Sequence, residues 1–280
     1  MADAAPALST FVRPRWLTAP VMIGGFIAAF WIIVALTVQW WPIDDPILSV
    51  GMRLAPPDGA HWIGTDRLGR DVLARTLHGA QYSLPIALAV IASAVAIGAT
   101  LGAVGGFLGG AADAVVMRLV DITLSFPAIL LAMAVTASMG PSLRNATIAM
   151  IIVWWPNYAR LMRAQVLAVK EREHVEAAVA AGAGGARVLV KHILPLCWSP
   201  VLINATMDFG QVVLLAASLS FIGLGASPPT PEWGQMISEG ARNFYQWWIA
   251  FGPGMAILSV ALGFNFLGDG LRDILDPRTQ

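Results

Sequence analysis

Long uncharged stretches recur along the chain, separated by short polar segments. Six of them, at residues 16–43, 76–112, 122–143, 145–159, 209–231 and 243–268, are candidate spans. A bilayer core about 30 Å thick needs about 20 apolar residues per helix. The run at 76–112 is too short for two helices and a turn, so one helix is expected near 83–107. The run at 145–159 is short, but Arg144 and Arg160 flank it and can extend to the interfaces. The pattern predicts an all-α integral membrane protein with six transmembrane helices.

The overall composition agrees with a chain that lies in lipid. Of its 280 residues, 57% are hydrophobic and only 12% are charged, whereas a soluble domain carries about 25% charged residues. This excludes a soluble enzyme and a disordered protein. The 17 basic residues balance 17 acidic ones, so no nucleic-acid partner is expected. The expected surroundings are membrane lipid.

The distribution of basic residues predicts which side of the membrane each loop faces. An even number of helices puts both termini on one side, with ten of the basic residues: Arg13, Arg15, Arg160, Arg163, Lys170, Arg172, Arg187, Lys191, Arg272 and Arg278. The opposite side has six: Arg53, Arg67, Arg70, Arg75, Arg144 and Arg242. Because basic residues favour the cytoplasm, both termini are predicted there. Residues 1–75 then comprise a cytoplasmic N-terminus, a retained anchor helix and an external loop, and residues 76–280 a five-helix core with a cytoplasmic loop at about 160–195.

Residue types that carry chemistry are scarce. The only two lysines, Lys170 and Lys191, do not follow glycine, so the chain has no phosphate-binding Gly-Lys-Ser/Thr loop. None of its four histidines has the His-Glu-x-x-His spacing, and the single cysteine, Cys197, cannot form an internal disulfide. We therefore expect no catalytic residue, metal site or cofactor in this chain. If ATP drives its function, another subunit must bind the ATP.

The loop at 160–194 is the most polar part of the core. An alanine-rich charged segment is followed by Gly182, Gly184 and Gly185 and then by a second helix-favouring segment. This order predicts a helix, a glycine turn and a second helix, closed by Pro195 before the fifth span. Such a projecting pair of helices suits docking into a partner's groove, but a solvated loop without a partner has the same composition.

Small and charged residues inside the spans suggest further roles. Glycines recur at every fourth position and predict a close helix contact, within this chain or with a second subunit: Gly98, Gly102, Gly106 and Gly110. Arg118 and Asp121 are three residues apart and are predicted to form an ion pair. Asp208 is an isolated acid early in the fifth span and is a candidate substrate-path residue.

One motif in the polar loop resembles the EAA loop of ABC-importer permeases. It comprises Glu176-Ala177-Ala178, then Gly182, then Leu194-Pro195, with the proline thirteen residues after the glycine. His192 stands where that family often has isoleucine. Three other segments are similar to the dipeptide/oligopeptide/nickel group of these permeases, and to its DppC/OppC-like member. They are an external Gly64-Thr65-Asp66-x-x-Gly69-Arg70-Asp71 signature, residues 218–234, and residues 268–278.

The resemblance implies a type I ABC-importer permease fold in a bacterial cell membrane. The segment 176–182 would be a coupling helix seated in one of two cytoplasmic ATPase subunits, which bind ATP and Mg. The other implied partners are a second, DppB/OppB-like permease and an extracytoplasmic binding protein that delivers dipeptides or oligopeptides. The external signature is expected to brace the loop or to contact the solute or its carrier, and Trp233 is expected at the membrane interface.

Two alternatives to a peptide importer remain open at this point. The same mechanism could transport nickel, glutathione or another small solute. A self-contained channel or secondary transporter would instead need intramembrane ionisable groups or broken helix pairs, of which the sequence shows few. An intramembrane enzyme is the weakest interpretation, because no nucleophile lies beside a base.

Overall fold

The computed structural model describes residues 19–275. The regular secondary structure in that range is helical, with one isolated bridge between Thr65 and Asp71 and no named strand. Arg13, Arg15 and residues 276–280, including Arg278, lie outside the described residues. A 3₁₀ turn, Val38–Trp40, follows α1, and a π-helical segment, Leu189–Ile193, precedes α8. The helices are α1 (Ala19–Thr37), α2 (Val72–Leu108), α3 (Gly110–Leu124), α4 (Ala128–Met139), α5 (Leu143–Lys170), α6 (Glu173–Ala180), α7 (Gly185–Val188), α8 (Leu194–Phe221), α9 (Trp233–Arg242) and α10 (Trp248–Leu275).

The long helices form a bundle with two distinct ends. At one end the Nζ of Lys170, the last residue of α5, donates to the Phe107 carbonyl near the end of α2, at 2.8 Å. We call this the α6 end. At the other, the α9 end, the indole N–H of Trp248 donates to the Thr65 carbonyl at 3.1 Å. Val21 near the start of α1 contacts Gly270 near the end of α10, so these two helices begin and end together at the α6 end.

Four helical segments are long and apolar enough to cross a membrane, and they become five if one bent pair is counted as a single span. The four segments are 19–40, 72–108, 185–221 and 248–275. Two predicted boundaries are wrong. The second span begins at Val72 instead of near residue 83. The predicted division of the chain after residue 75 stays a prediction. The helix of the fifth span begins at Leu194 and ends at Phe221, whereas the uncharged run covers 209–231.

The third predicted span, 122–143, is not one straight helix. Helices α3 and α4 are joined by the segment 125–127 and differ in direction by 90°. Pro127 explains the break, because proline lacks the N–H for a helical hydrogen bond and disfavours helical backbone in Phe126 before it. With 12 residues, α4 is about 18 Å long, which is less than the bilayer core.

Close packing of α2 on α5 accounts for three of the four regularly spaced glycines. A Cβ atom added to Gly98 or Gly102 would collide with the main chain of α5, at Trp155 and Ala159 respectively. At Gly106 it would lie 3.2 Å from the Arg163 carbonyl oxygen. The glycine stripe therefore faces a helix of the same chain. Gly110 is not part of this face, because α2 ends at Leu108 and Gly110 begins α3 with a φ of +55°.

We predict that Gly102→Ala destabilises the chain by about 1–3 kcal/mol, the usual range for overpacking in a tightly packed interior. Thermal unfolding of the purified chain in detergent measures this loss. The matched control is Gly25→Ala in α1, where a Cβ atom meets nothing within 4 Å and the stability should not fall. Equal melting temperatures for Gly102→Ala and the unmodified chain would contradict the packing role.

Candidate functional site

Helix α6 projects from the α6 end of the bundle and is largely solvent-exposed. Val175 is its only buried side chain. Its acidic residues, Glu173 and Glu176, occupy the first turn, where negative charge is favoured by the helix dipole. The predicted order of helix, glycine turn and second helix is present, since α7 follows at Gly185–Val188. The result is a short exposed helix on a fixed base.

Gly182 ends α6 with a specific hydrogen-bond pattern. Its N–H donates to the Val179 carbonyl at 2.9 Å, and the Ala183 N–H donates to the Ala178 carbonyl at 3.0 Å. These two bonds form a Schellman motif, in which the residue after the C-cap adopts left-handed backbone. Gly182 has a φ of +81°, a conformation that glycine adopts at the lowest energetic cost. The glycine of the motif is therefore explained by local backbone geometry.

Few contacts anchor α6 to the bundle. Val175 and Val188 are buried at its base, and the Nε2 of His174 lies 3.4 Å from the His192 carbonyl oxygen. A cavity of about 490 Å³ lies between α6, α7 and the end of α2, with Phe107 and Lys170 in its wall. The Lys170 ammonium also lies 5.5 Å from the centre of the Phe107 ring, a distance suited to a cation–π contact.

The residues of the EAA-like motif lie on two separate elements. Glu176 and Ala177 are exposed on α6, and Ala178 is half-buried there. Leu194 and Pro195 lie in the first turn of α8, beyond the π-helical segment. Pro195 does not close the second helix as predicted, because a proline at the start of a helix needs no N–H partner and α8 continues through it.

At the α9 end, residues 41–71 fold into a compact loop held by the Gly64–Asp71 signature. Asp66 accepts the backbone N–H groups of Leu68 at 2.8 Å and Arg70 at 3.0 Å. The Thr65 hydroxyl accepts from the Ala55 N–H at 2.9 Å. Gly64 and Gly69 have φ angles of +73° and +78°, as turns of this kind require. The signature thus braces the loop by internal hydrogen bonds.

Four charged side chains are buried together behind this loop. The Nε of Arg70 lies 2.6 Å from the Asp66 Oδ2, and the Nε of Arg75 lies 3.4 Å from the same oxygen. The Nη2 of Arg70 also lies 3.3 Å from the Glu239 Oε2 in α9. All four side chains are at most 8% exposed. Two acids and two bases therefore neutralise one another and tie the loop to α2 and α9.

Asp71, the last residue of the signature, caps α2. Its Oδ1 accepts the Ala74 N–H at 2.7 Å, and its Oδ2 lies 2.9 Å from the His61 Nδ1. Ligand atoms of Asp44, His61 and Asp71 lie within 4.8 Å of one another, close enough to hold a metal ion. The hydrogen bonds of Asp71 hold it beside His61, and the expected absence of a metal stays a prediction.

Helix α9 lies between two uncharged runs, where the hydrophobic pattern predicts no helix. Glu232 caps it, accepting the N–H groups of Gly234 at 3.0 Å and Gln235 at 2.9 Å. Burial raises the pKa of the Glu232 carboxyl above its ordinary value, while these N–H donors act in the opposite direction. Glu232 is not among the residues that usually mark an N-cap, so the start of this helix had no clear sequence signal.

The prediction that Trp233 lies at the membrane interface is wrong. Its side chain is fully buried, and its indole N–H donates to the Thr76 carbonyl of α2 at 2.8 Å. The ring packs edge-on against Trp31 of α1, with the ring centres 5.0 Å apart. Trp233 therefore joins α9 to two long helices.

The intramembrane charges pair differently from the prediction. Asp121 accepts from Arg160 of α5 at 2.8 Å instead of pairing with Arg118, which is exposed on α3. Asp208 accepts from the Trp154 indole at 3.0 Å and the Tyr158 hydroxyl at 2.8 Å. Both donors are on α5, so Asp208 links α8 to α5. Its predicted role in a substrate path stays a prediction.

Sequence comparisons with known proteins identify the family of this chain. A family described as "Binding-protein-dependent transport system inner membrane component" matches residues 94–280. The chain is 45% identical over 250 residues to the probable D,D-dipeptide transport system permease protein DdpC of Escherichia coli, covering 88% of this chain and 84% of that protein. It is 46% identical to the dipeptide transport system permease protein DppC of Alkalihalophilus pseudofirmus, with 81% and 75% covered. It is 41% identical to the di/tripeptide transport system permease protein DppC of Pseudomonas aeruginosa, with 92% and 88% covered.

Proposed function

This chain belongs to the family of binding-protein-dependent transport system inner membrane components, and from that premise we propose that it is a permease subunit of an ATP-driven ABC importer for dipeptides or oligopeptides. The names of its relatives support a peptide cargo. Nickel, glutathione or another small solute is the alternative cargo for the same mechanism. Selectivity in such a system is expected to reside largely in the binding protein.

We propose six membrane crossings in a bacterial cell membrane, with the α6 end in the cytoplasm. The four apolar segments, the bent pair α3–α4 and α5 would make up the six. Both termini would then be cytoplasmic, because α1 begins and α10 ends at the α6 end. The excess of basic residues in the segments assigned to that side supports the same orientation.

The observation that carries the proposal is the exposed helix α6, held by one buried side chain of its own and stopped by a Schellman turn at Gly182. A helix that exposes most of its surface beyond the bundle suits insertion into a partner's groove. We propose that it is a coupling helix, seated in one of two cytoplasmic ATPase subunits. Those subunits would bind ATP and Mg, and no cofactor is assigned to this chain. The solvated-loop alternative leaves the exposed acidic turn without a role.

The proposed mechanism moves this helix as a lever. Closure of the ATPases on ATP would shift α6, and the short anchoring set of Val175, Val188 and Lys170 would pass that shift to the ends of α2 and α5. A ligand shifts the equilibrium between two conformations only if it binds one of them more tightly than the other. We therefore propose that ATP favours the state that accepts peptide from the external binding protein, with a second, DppB/OppB-like permease completing the path.

The test is affinity purification of the tagged chain in mild detergent. We expect two ATPase subunits and a second permease to copurify with it, and the external binding protein to bind to this assembly. Recovery of the chain alone, with uptake that persists after ATP depletion, would instead support a channel or secondary transporter and overturn the importer.

A further inference from the structure

A small polar cavity lies at the α9 end, between α9, the end of α8 and the turn at Arg67–Arg70. Its volume is about 140 Å³, whereas one water occupies about 30 Å³ in the liquid. Drug-sized ligands occupy pockets of about 300–1,000 Å³. The cavity is therefore of a size for one amino-acid residue.

Two side chains that line the cavity each carry a buried acceptor atom without a partner. Gln235 and Glu239 lie one turn apart on α9, both line the cavity, and each is 8% exposed. The Oε1 atom of each is buried and forms no hydrogen bond. Buried polar atoms are nearly always hydrogen-bonded, so unpaired ones need an explanation. The other carboxylate oxygen of Glu239 is already paired with Arg70, so what these two acceptors lack is hydrogen-bond donors. An ammonium group, with three N–H donors, can supply both.

The exposed rim of the same cavity has the opposite charge. Arg67 and Arg242 both line it and both are exposed. Neither guanidinium forms an ion pair within residues 19–275. Arg70 is already neutralised by Asp66 and Glu239. A ligand that satisfies both regions carries an ammonium group at its inner end and a carboxylate at its outer end.

We propose that this cavity binds the amino-terminal residue of a zwitterionic peptide. The α-ammonium group would donate to the Oε1 atoms of Gln235 and Glu239, and the peptide carboxylate would lie beside Arg67 and Arg242. This inference rests on the proposed function and places a peptide contact on the permease itself. A lysine side chain from the binding protein fits less well, because it brings a cation past two arginines without a carboxylate to offset them.

The test measures peptide binding to the transporter assembly in nanodiscs, without the binding protein. The probes are glycylglycine and N-acetylglycylglycine, whose acetyl group removes the positive charge, and saturation-transfer NMR reports the affinity of each. We expect saturable binding of glycylglycine and at least a tenfold loss on acetylation, since a hydrogen bond to a charged group contributes that much.

The diagnostic variant is Gln235→Met, which keeps the side-chain length and removes the unpaired acceptor. We expect about tenfold weaker glycylglycine binding, with a melting temperature no lower than that of the unmodified assembly. Gln39→Met is the control, because Gln39 is exposed outside the cavity. Equal affinity for both peptides, or unchanged affinity in Gln235→Met, would overturn the site, as would crosslinking that places a binding-protein lysine there.

The outcome for the site is separable from the outcome for the proposed function. An assembly that copurifies with its ATPases and imports peptide, but shows no binding of glycylglycine, refutes the site alone. An assembly that never forms refutes the importer.

Discussion

Replacing Glu176 with lysine is expected to reduce ATP-driven peptide uptake to below about a tenth of its normal value. Glu176 is exposed in the first turn of α6, so charge reversal leaves the fold of this chain intact. If α6 lies in a partner's groove, the charge reversal would replace a favourable charge contact with the partner by a repulsive one. Losing one partner of a buried interfacial charge pair costs about 2–5 kcal/mol, and each 1.4 kcal/mol is a tenfold change. The variant also loses the favourable interaction between an acidic side chain and the N-terminal end of the α6 helix dipole, which is a smaller effect.

Uptake of labelled dipeptide into whole cells measures this change, with membrane immunoblots to show that the variant is present. The matched control is Glu171→Lys, which reverses an exposed charge just before α6 and should leave most uptake in place. Copurification of the ATPases should weaken in Glu176→Lys only. Normal uptake in that variant would refute the coupling role of α6.

Replacing Asp66 with alanine is expected to cause the largest loss of stability. Asp66 is 2% exposed in its side chain, accepts a hydrogen bond from Arg70 and lies 3.4 Å from the Nε of Arg75. The variant leaves two buried guanidinium groups with only Glu239 to offset them. Removing one partner of a buried ion pair costs about 3–5 kcal/mol, because the remaining charge is uncompensated. The loop at 41–71 should detach from α2 and α9 as a result.

The single cysteine provides a measurement of this loss that needs no engineered reporter residue. Cys197 is buried in α8, so a thiol-reactive dye reports unfolding of the purified chain in detergent during heating. Asp66→Ala should react at a clearly lower temperature than the unmodified chain. Asp44→Ala removes an exposed carboxylate from the same loop and serves as the control. Coincident melting curves for Asp66→Ala and Asp44→Ala would show that the buried cluster is not a stabilising brace.

The pairing of the intramembrane charges shows where reading the sequence fails. Arg118 and Asp121 are three residues apart, and their spacing allows an ion pair on an isolated helix. The structure instead brings Arg160 to Asp121 from 39 residues away. Likewise, Trp154 and Tyr158 reach Asp208 from 54 and 50 residues away. The spacing along one helix indicates which residues of that helix can form a pair. Which pairs form depends on the second helix that packs against it.

The glycines illustrate a partial success of the same kind. The four-residue spacing of Gly98, Gly102 and Gly106 predicts a face for close approach, and the structure places α5 against it. The sequence left open whether the second helix belonged to this chain. The spacing also included Gly110, since nothing in a regular repeat indicates that α2 ends two residues earlier. Pro127 was the readable signal for the other helix break, at the start of α4.

Three properties were determined by the sequence alone. They are the placement of the chain in lipid, the approximate positions of most apolar segments, and the end of a short polar helix at Gly182. These properties depend on local composition and backbone preference, which act on neighbouring residues. Only the tertiary structure decided that α9 is a helix docked on the Gly64–Asp71 signature, that Glu239 pairs with Arg70 across 169 residues, and that Gln235 and Glu239 line a polar cavity. The physical reason is that burial and charge pairing are set by which distant segments pack together, and that choice depends on the whole bundle.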